Sequence, residues 1–572
     1  MESTLAGTRT RAKATAPEPS QARGWLTALA RDHRREIALT VAAGSAVGVF
    51  TVLLMAMLAW IIHQAIITQV TTEALLPWFA ATALVMALRA LAQGLQARTT
   101  ALASHRIRAR VRQQLTESWR RAGPVSLKAH SAATLASEWL DQVEALHGYF
   151  ARFLPQMMLC GLVPILILLV VLSQDWLAAV FLLLSAPLIP LFMALVGMGA
   201  ERVNQQHFEV LGRLSGQFLD KVRALSTLQL FGATEQAAAS LQSRSDTFRS
   251  VTMKTLKVAF LSSAVLEFFA SVAIAVVAMY IGFGLLGYIA FGPAEELTLF
   301  SGLFVLLLAP EFFQPLRQLA QNYHDRAAAL GAATLLLGRL DNPAPGVEAP
   351  AISANSRTAS NDIRLNRVTV CYDPQKPVLD RVNLTIKQGQ CLVLQGPSGG
   401  GKSTLLNVLA GFVPPNEGTV TVFGQVPGHQ PFGWLGQSPY LLQGSWADNL
   451  RLVRPNATEQ DIHQALALAG LTSQVSARKS GIHSHVSELG QGLSGGQARR
   501  LSLARVFLAD YGLVLLDEPT AGLDPASQQD IRAALARLKA AGKTLVLASH
   551  HDSLLALADQ VVRVDNGKIV DG

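Results

Sequence analysis

Six long apolar stretches lie within the first 340 residues, and they restrict the fold more than any other feature of the sequence. The hydrocarbon core of a bilayer is about 30 Å thick, so an α-helix needs about 20 apolar residues to cross it. Backbone amides inside lipid find no water to bind, which makes the helix the expected structure of each stretch. The sequence therefore predicts six membrane-spanning helices, at about residues 37–67, 75–95, 157–172, 176–198, 258–286 and 297–319.

The composition agrees with a membrane domain joined to a soluble one. Hydrophobic residues make up 50% of the chain, charged residues only 15%, and the mean hydropathy is +0.31. The formal net charge is +9, but the basic loops alternate with neutral or acidic ones as membrane topology requires, so we expect no nucleic-acid partner. Cys160, Cys371 and Cys391 are far apart and lack C-x-x-C spacing, which supports neither a disulfide framework nor a metal cluster.

The distribution of Lys and Arg predicts the orientation of the helices. Eight basic residues lie from Arg98 to Lys128 and eight from Arg202 to Lys257, in two long polar connections with helical periodicity. No Lys or Arg occurs in the short connections at 68–73, 173–175 and 287–296. Basic loops stay on the cytoplasmic side, so both long connections and both termini are expected there.

Two cytoplasmic features follow from this topology. Residues 1–36 lack the apolar core and cleavage site of a signal peptide, so we expect a cytoplasmic tail. Within it, 24–35 either forms a short amphipathic helix or stays solvated. The tips of the long connections, near 123–130 and 240–248, are expected to touch the soluble domain and receive its motion.

Polar side chains inside the apolar stretches are candidates for a substrate path. A polar group in lipid is costly unless it faces a cavity or a partner, so each could instead join two helices. Arg89 and Glu311 are the stronger candidates because a buried charge needs water or a counter-ion. The whole set comprises His63, Gln64, Arg89, Gln156, Glu267, Glu311 and Gln314.

Residues 396–404 fulfil the phosphate-binding pattern G-x-x-x-x-G-K-[ST], between an apolar run typical of a strand and another typical of a helix. The glycines let backbone N–H groups converge on phosphate oxygens at the helix N-terminus. Lys402 is expected to reach the β- and γ-phosphates of ATP, and Ser403 to bind Mg²⁺. The predicted nucleotide contacts are Gly396, Pro397, Ser398, Gly399, Gly400, Gly401, Lys402, Ser403 and Thr404.

A second phosphate-binding pattern, which we call the signature, begins at Leu493 and precedes a predicted helix at 498–508. Its helix N-terminus is expected to bind phosphate. Two such sites cannot easily share one nucleotide within one domain, so two copies of the domain must face each other, with Asp524 at their seam. The signature residues that we expect to contact the nucleotide are Ser494, Gly495, Gly496 and Gln497.

The catalytic groups are expected at the ends of apolar strands. Asp517 follows the buried run 512–516 and is placed to hold Mg²⁺, while Glu518 is placed to polarise the water that attacks the γ-phosphate. Gln437 is a candidate for joining Mg²⁺ or this water.

Two aromatic side chains complete the predicted site. Tyr372 follows the first strand and could stack on adenine. His550 follows the strand at 544–548 and is expected to contact the γ-phosphate, with His551 as a rival.

The sequence also predicts the domain boundaries. Residues 341–361 are expected to form a linker because they are rich in Pro, Ala, Ser and Asn. Residues 362–572 are expected to form an α/β domain because strands alternate with helices.

These motifs, in this order, resemble the ABC ATPase domain over residues 363–572. With the six preceding spans, the chain resembles an ABC exporter half-transporter: an all-α six-helix transmembrane domain of type I at 37–340, followed by an α/β P-loop ABC ATPase domain. Residues 187–200, 259–269 and 308–317 are similar to CydD subunits of the heterodimeric CydDC family.

The resemblance implies a bacterial inner-membrane exporter of cysteine and glutathione, surrounded by lipid, that works with a CydC-like chain and is needed for cytochrome bd assembly. It leaves haem open as the transported molecule. A lipid or peptide exporter shares every ATPase motif, and a homodimer is an alternative to the pair. A soluble ABC ATPase acting on DNA or ribosomes shares Lys402 and Glu518, but the apolar stretches argue against it.

Overall fold

The computed structural model describes residues 19–128, 132–187, 218, 220–222, 224–289, 291–340, 361–373, 376–437, 439–486, 493–550 and 552–570. Several predicted features lie wholly or largely outside these residues. They are the tail at 1–18, the end of the fourth apolar stretch at 188–198, the similar segment at 187–200, the start of the second long connection with Arg202 and Arg213, the linker at 341–360, and His551. The chain divides into two compact units, Met1–Ser118 with Ser131–Asn342, and Trp119–His130 with Pro343–Gly572.

The described part of the first unit is helical. Its helices are α1 (Pro19–Asp32), α2 (Arg34–Ile66), α3 (Thr72–Leu127), α4 (Ala132–Ser137), α5 (Leu146–Gly148), α6 (Leu154–Gln174), α7 (Trp176–Ser185), α8 (Leu225–Leu230), α9 (Thr234–Leu285), α10 (Leu299–Gln321) and α11 (Tyr323–Leu340). Two π-helical turns, Glu138–Gln142 and Tyr149–Phe153, and one 3-10 turn, Gly292–Glu296, connect some of them.

Five helices of the described chain are long and apolar enough to cross a membrane. They are Arg34–Ile66, Thr72–Leu127, Thr134–Gln174, Glu267–Leu285 and Leu299–Leu340, and they coincide with five of the six predicted spans. The predicted fourth span begins with α7, a shorter apolar helix. The helical transmembrane character is therefore clear, while the count of six spans stays a prediction.

The long polar connections continue the spanning helices. α3 is 56 residues long and α9 is 52, so each extends well beyond the length that a bilayer requires. α3 bends at Gly123, whose backbone is not helical (φ 72°, ψ 170°). The part of this connection from Trp119 onward belongs to the second unit, whereas 240–248 belongs to the first.

Helix contacts in the first unit account for two of the polar residues predicted inside the spans. The Gln156 amide donates to the carbonyl oxygen of Pro315 at 2.9 Å in a buried position, which joins α6 to α10. Glu267 forms an ion pair with Arg317 at 3.0 Å. The Nε atom of Arg89 is buried and has no hydrogen-bond partner among the described residues, so its role in a substrate path stays a prediction.

A buried carboxylate organises the N-terminal end of α7. Asp175 caps the helix by accepting from the backbone N–H groups of Leu177 and Ala178, both at 2.9 Å. Its second oxygen accepts from the hydroxyl of Tyr280 on α9, also at 2.9 Å. Packing and such polar contacts hold helices together in lipid, where the hydrophobic effect between them is absent.

The second unit contains the α/β domain. Its strands are β1 (Ile363–Asp373), β2 (Lys376–Ile386), β3 (Cys391–Gln395), β4 (Glu417–Val422), β5 (Gly433–Leu435), β6 (Gly444–Ser445), β7 (His485–Val486), β8 (Leu513–Asp517), β9 (Thr544–Ala548), β10 (Gln560–Asp565) and β11 (Lys568–Val570). Its helices are α12 (Lys402–Leu409), α13 (Trp446–Arg451), α14 (Glu459–Leu468), α15 (Thr472–Ser476), α16 (Gly495–Ala509) and α17 (Pro525–Ala540), with 3-10 turns at Gly481–His483 and Asp552–Leu557.

The order of the strands brings the predicted functional loops to one edge. A six-stranded sheet has the order β11-β10-β3-β9-β8-β5, and its neighbours from β10 to β5 are parallel. A separate antiparallel sheet has the order β2-β1-β4. Ligands of open parallel sheets bind at the carboxyl ends of the strands. β3, β9 and β8 are neighbours, so the loops that follow them meet at one place.

Candidate nucleotide-binding site

The phosphate-binding loop connects β3 to α12, and its shape depends on glycine. Gly396, Gly399 and Gly401 have φ angles of +145°, +81° and +110°, which L side chains rarely adopt. A Cβ atom on Gly396 would lie 2.0 Å from the carbonyl oxygen of Val564, whereas one on Gly399 would meet nothing within 4 Å. The loop is therefore pressed against the protein on one side and open on the other, which fits a phosphate group.

Lys402 is the first residue of α12 and lies inside this loop. Its Nζ atom donates to the carbonyl oxygens of Gly396 and Pro397 at 2.8 and 2.9 Å. Burial lowers the pKa of Lys402, while the nearby carboxylates of Glu518 and Asp517 act in the opposite direction. The ammonium group is thus held where it can attract the anionic end of a nucleotide.

The next residue of the loop meets the end of β8. The hydroxyl of Ser403 donates to Oδ1 of Asp517 at 3.1 Å, and Thr404 beside it is buried in α12. Asp517 is only 8% exposed, and this burial raises its pKa although the hydrogen bond from Ser403 lowers it. A hydroxyl and a buried carboxylate side by side are the oxygen ligands that Mg²⁺ prefers, so the residues present fit this cation.

Glu518 and His550 face each other across the ends of β8 and β9. The Nε2 atom of His550 lies 2.9 Å from Oε1 of Glu518, 3.2 Å from Nζ of Lys402 and 3.4 Å from Oγ of Ser398. Glu518 has a φ angle of +50°, and its N–H donates to the carbonyl oxygen of Ala548 at 2.9 Å. The structure therefore brings four predicted site residues together in one cluster.

The signature forms the N-terminus of α16. Ser494 caps the helix: its hydroxyl accepts from the N–H of Gln497 at 3.2 Å, and the Gln497 side chain accepts from the N–H of Ser494 at 3.1 Å. Ser494 and Gly495 are exposed. A Cβ atom on Gly496 would lie 2.5 Å from the hydroxyl of Ser527, so glycine lets the helix start pack closely against α17.

Three other predicted residues lie on separate elements of the domain. Tyr372, near the end of β1, is 53% exposed. Asp524 caps α17 by accepting from the N–H of Ser527 at 2.9 Å, and this bond lowers its pKa. Gln437 follows β5, and its backbone carbonyl accepts from Arg499 at 3.1 Å.

Two structural features of the site were missed by sequence reasoning. The turn between β10 and β11 supports the phosphate-binding loop, because the N–H of Gly567 donates to the carbonyl oxygen of Gly400 at 3.0 Å. The Asn566-Gly567 pair is a hairpin signal that could have located this turn. Arg499 binds backbone carbonyl groups of two separate segments, one after β8 and one after β5, and no local pattern indicated that.

The comparisons with known proteins agree with this geometry. Residues 37–310 match the family model of the ABC transporter transmembrane region, and residues 379–521 match that of the ABC transporter. The chain is 37% identical over 527 residues to the glutathione/L-cysteine transport system ATP-binding/permease protein CydD of Haemophilus influenzae, covering 90% of this chain and 88% of that one. The chain belongs to the CydD family of ABC exporters.

A second relative and a solved structure are also similar to this ABC exporter. It is 32% identical over 459 residues to the glutathione/L-cysteine transport system protein CydC of Bacillus subtilis, covering 79% of this chain and 78% of the other. Its fold matches the structure of a bacterial Atm1-family ABC exporter with ATP bound, with a TM-score of 0.76, 19% identity and 95% of both chains covered. The exporter is thus a membrane protein that binds and hydrolyses ATP, as predicted.

Proposed function

We propose that this chain is the CydD-type half of a heterodimeric pump that exports cysteine and glutathione across the bacterial inner membrane and supports cytochrome bd assembly. The observation that carries the proposal is its similarity, over 90% of its length, to a relative named for glutathione/L-cysteine transport. The membrane region at 37–340 forms the path, 341–361 links it, and the domain at 362–572 hydrolyses ATP. Both termini and the 1–36 tail lie in the cytoplasm.

The residues of the first phosphate site bind and orient ATP. The phosphate loop surrounds the phosphates with its N–H groups, Lys402 pairs with their charge, and Tyr372 stacks on adenine. Ser403 and Asp517 hold Mg²⁺ with help from Gln437. When bound, this cation neutralises charge on the phosphate oxygens.

Hydrolysis depends on the pair at the ends of β8 and β9. Glu518 accepts a hydrogen bond from the attacking water and polarises it. His550, within 2.9 Å of this carboxylate, fixes the carboxylate's position and contacts the γ-phosphate. Gln437 closes the site around the water, which completes the set of catalytic residues.

The second phosphate site serves the nucleotide of another chain. Ser494 and Gly495 are exposed at the start of α16, so a phosphate held by a facing domain can reach them. Gly496 and Gln497 shape this helix start, and Asp524 lies beside the seam. The CydC relative supports a CydC-like chain as the facing partner. Closure around two ATP molecules then drives the membrane helices, which contact lipid, toward the outward-open state.

The substrate is a small thiol that carries carboxylates. The buried Nε atom of Arg89, which has no hydrogen-bond partner among the described residues, provides a charge in the membrane region that such a carboxylate would neutralise. Glu311 is the second candidate on the path. Both side chains are part of the proposal.

Uptake into inverted vesicles tests this function. The chain is co-expressed with its CydC-like partner, and labelled glutathione, cysteine and haem are supplied with ATP. We expect uptake of glutathione and cysteine, its loss in Lys402→Ala, and no uptake of either by the chain expressed alone. Uptake of haem alone would show that haem, and not a thiol, is the substrate. Uptake by the single chain would indicate a homodimer. Uptake that persists in Lys402→Ala would overturn the ATP-driven mechanism.

A further inference from the structure

Arg499 lies in the second turn of α16 and binds two separate backbone segments. Its Nη1 atom donates to the carbonyl oxygens of Pro519 and Ala521 at 3.1 and 2.6 Å, and its Nη2 atom donates to that of Gln437 at 3.1 Å. Pro519 and Ala521 follow β8, and Gln437 follows β5, the strand paired with β8. One side chain therefore connects the signature helix with the segment after Glu518 and with the backbone of Gln437.

The segment that Arg499 holds is strained. Glu518 has a φ angle of +50°, a left-handed conformation that costs free energy for any residue with a Cβ atom. Its carbonyl oxygen accepts from the N–H of Ala521 at 3.2 Å, which closes a tight turn. Such a conformation persists only where the surroundings enforce it, and Arg499 binds two carbonyl groups of this same turn.

The guanidinium group is also electrically coupled to the catalytic carboxylate. Burial lowers the pKa of Arg499, and the charge of Glu518 acts in the opposite direction. The described structure gives this guanidinium three neutral carbonyl partners and no carboxylate. The position of the guanidinium group depends on the backbone that it binds. A shift of the turn after Glu518 therefore also changes its contact with the backbone of Gln437.

We propose that Arg499 is a positioning residue for ATP hydrolysis. It keeps Glu518 in its left-handed conformation, with the carboxylate directed at the attacking water, and it ties this turn to the helix that carries Ser494. The proposal rests on the catalytic role proposed above for Glu518. Its described partners are backbone carbonyl groups, so it acts through the turn that carries Glu518.

Steady-state ATPase kinetics of the co-expressed pair test the proposal. We expect Arg499→Gln to lower kcat at least tenfold while KM for ATP changes less than twofold, and Arg499→Lys, which keeps the charge and three donors, to recover part of the loss. Arg505→Gln is the matched control. Arg505 is half-buried on the same helix and donates to the carbonyl oxygens of Asn449 and Tyr440 at 2.9 and 2.6 Å, so its loss should lower Tm but leave kcat within twofold.

A double mutant separates positioning from general destabilisation. If Arg499 acts through Glu518, the double variant Glu518→Gln with Arg499→Gln should have the same residual ATPase rate as Glu518→Gln alone. A further tenfold loss in that background, a wild-type kcat for Arg499→Gln, or an equal loss in Arg505→Gln would overturn the proposal. Full turnover in Glu518→Gln alone would instead overturn the proposed function of Glu518.

Discussion

The Nε2 atom of His550 lies 2.9 Å from Oε1 of Glu518, although 32 positions separate the two residues in the sequence. The parallel pairing of β8 with β9 creates this contact, because the two strands end at the same edge of the sheet. Lys402 joins them from the phosphate-binding loop, 3.2 Å from the histidine. A proposed base, a proposed γ-phosphate ligand and a cation thus share one small volume.

We expect Glu518→Gln to separate ATP binding from hydrolysis. The amide keeps the size of the side chain but cannot polarise water as a carboxylate does, a role that contributes about 10²- to 10⁴-fold in enzymes. ATPase activity of the pair should fall by a factor in that range while equilibrium binding of a labelled ATP analogue stays unchanged. Unchanged turnover in the purified pair would contradict the assigned role.

Gly567→Ala should damage nucleotide binding from outside the phosphate-binding loop. Gly567 has a φ angle of +77°, and a Cβ atom there would lie 2.5 Å from the carbonyl oxygen of Val378. Because the N–H of Gly567 supports Gly400, the clash should move the loop and lower ATP affinity about tenfold. Strain of this kind costs on the order of 1–3 kcal/mol, measurable by chemical unfolding of the chain.

Gly542→Ala is the control for this prediction. Gly542 has nearly the same φ angle, +76°, but a Cβ atom there meets nothing within 4 Å. This variant should therefore lose stability through backbone strain alone and keep its ATP affinity. Equal losses of affinity in both variants would show that strain, and not the support of the loop, sets the effect.

Ser494→Ala should impair ATP hydrolysis more than its effect on stability explains. Removing an N-cap costs about 1 kcal/mol, and Thr458 offers a matched cap because it forms the same reciprocal pair of hydrogen bonds, with Asp461, at the exposed start of α14. Both Ser494→Ala and Thr458→Ala should lower Tm by similar amounts. Only Ser494→Ala should lower the ATPase rate of the pair; equal rates in the two variants would refute a phosphate role for the signature.

Cys391 should resist alkylation in the folded chain. Burial raises the pKa of its thiol to about 11, and the reactive species is the thiolate. At pH 8 the thiol is therefore protonated, and reactivity should rise only as the pH approaches 11 or when the chain unfolds. Mass spectrometry after iodoacetamide treatment checks this against the half-buried Cys371. Rapid labelling of Cys391 at pH 8 would contradict its burial in β3.

The sequence located those parts of the site that local patterns encode. Thr544–Ala548 is a strand in the structure as predicted, because five apolar or β-branched residues stand between Lys543 and Ser549. The phosphate-loop spacing predicted Lys402 and Ser403 as site residues without knowledge of the sheet. The parallel order of β3, β9 and β8 explains why loops from distant strands meet, and alternating strands and helices made that order expected.

The predicted start of helix α16 was less accurate, for a physical reason. α16 begins at Gly495, whereas the prediction placed its start at 498, because glycine has low helix propensity and the reciprocal cap between Ser494 and Gln497 compensates for it. The contacts of Arg499 could not be predicted at all. They reach backbone groups 20, 22 and 62 residues away, and only the folded chain brings these together.

The most direct measurement of the mechanism is ATP-dependent cross-linking of the two chains in lipid. Ser494→Cys in this chain is paired with a cysteine in the phosphate-binding loop of the CydC-like partner, in the Glu518→Gln background, where we expect slow hydrolysis to let closed pairs accumulate. ATP with Mg²⁺ should increase the cross-linked fraction at least several-fold over the nucleotide-free state. A cross-linked fraction that does not respond to ATP would contradict the facing arrangement on which the proposed export mechanism depends.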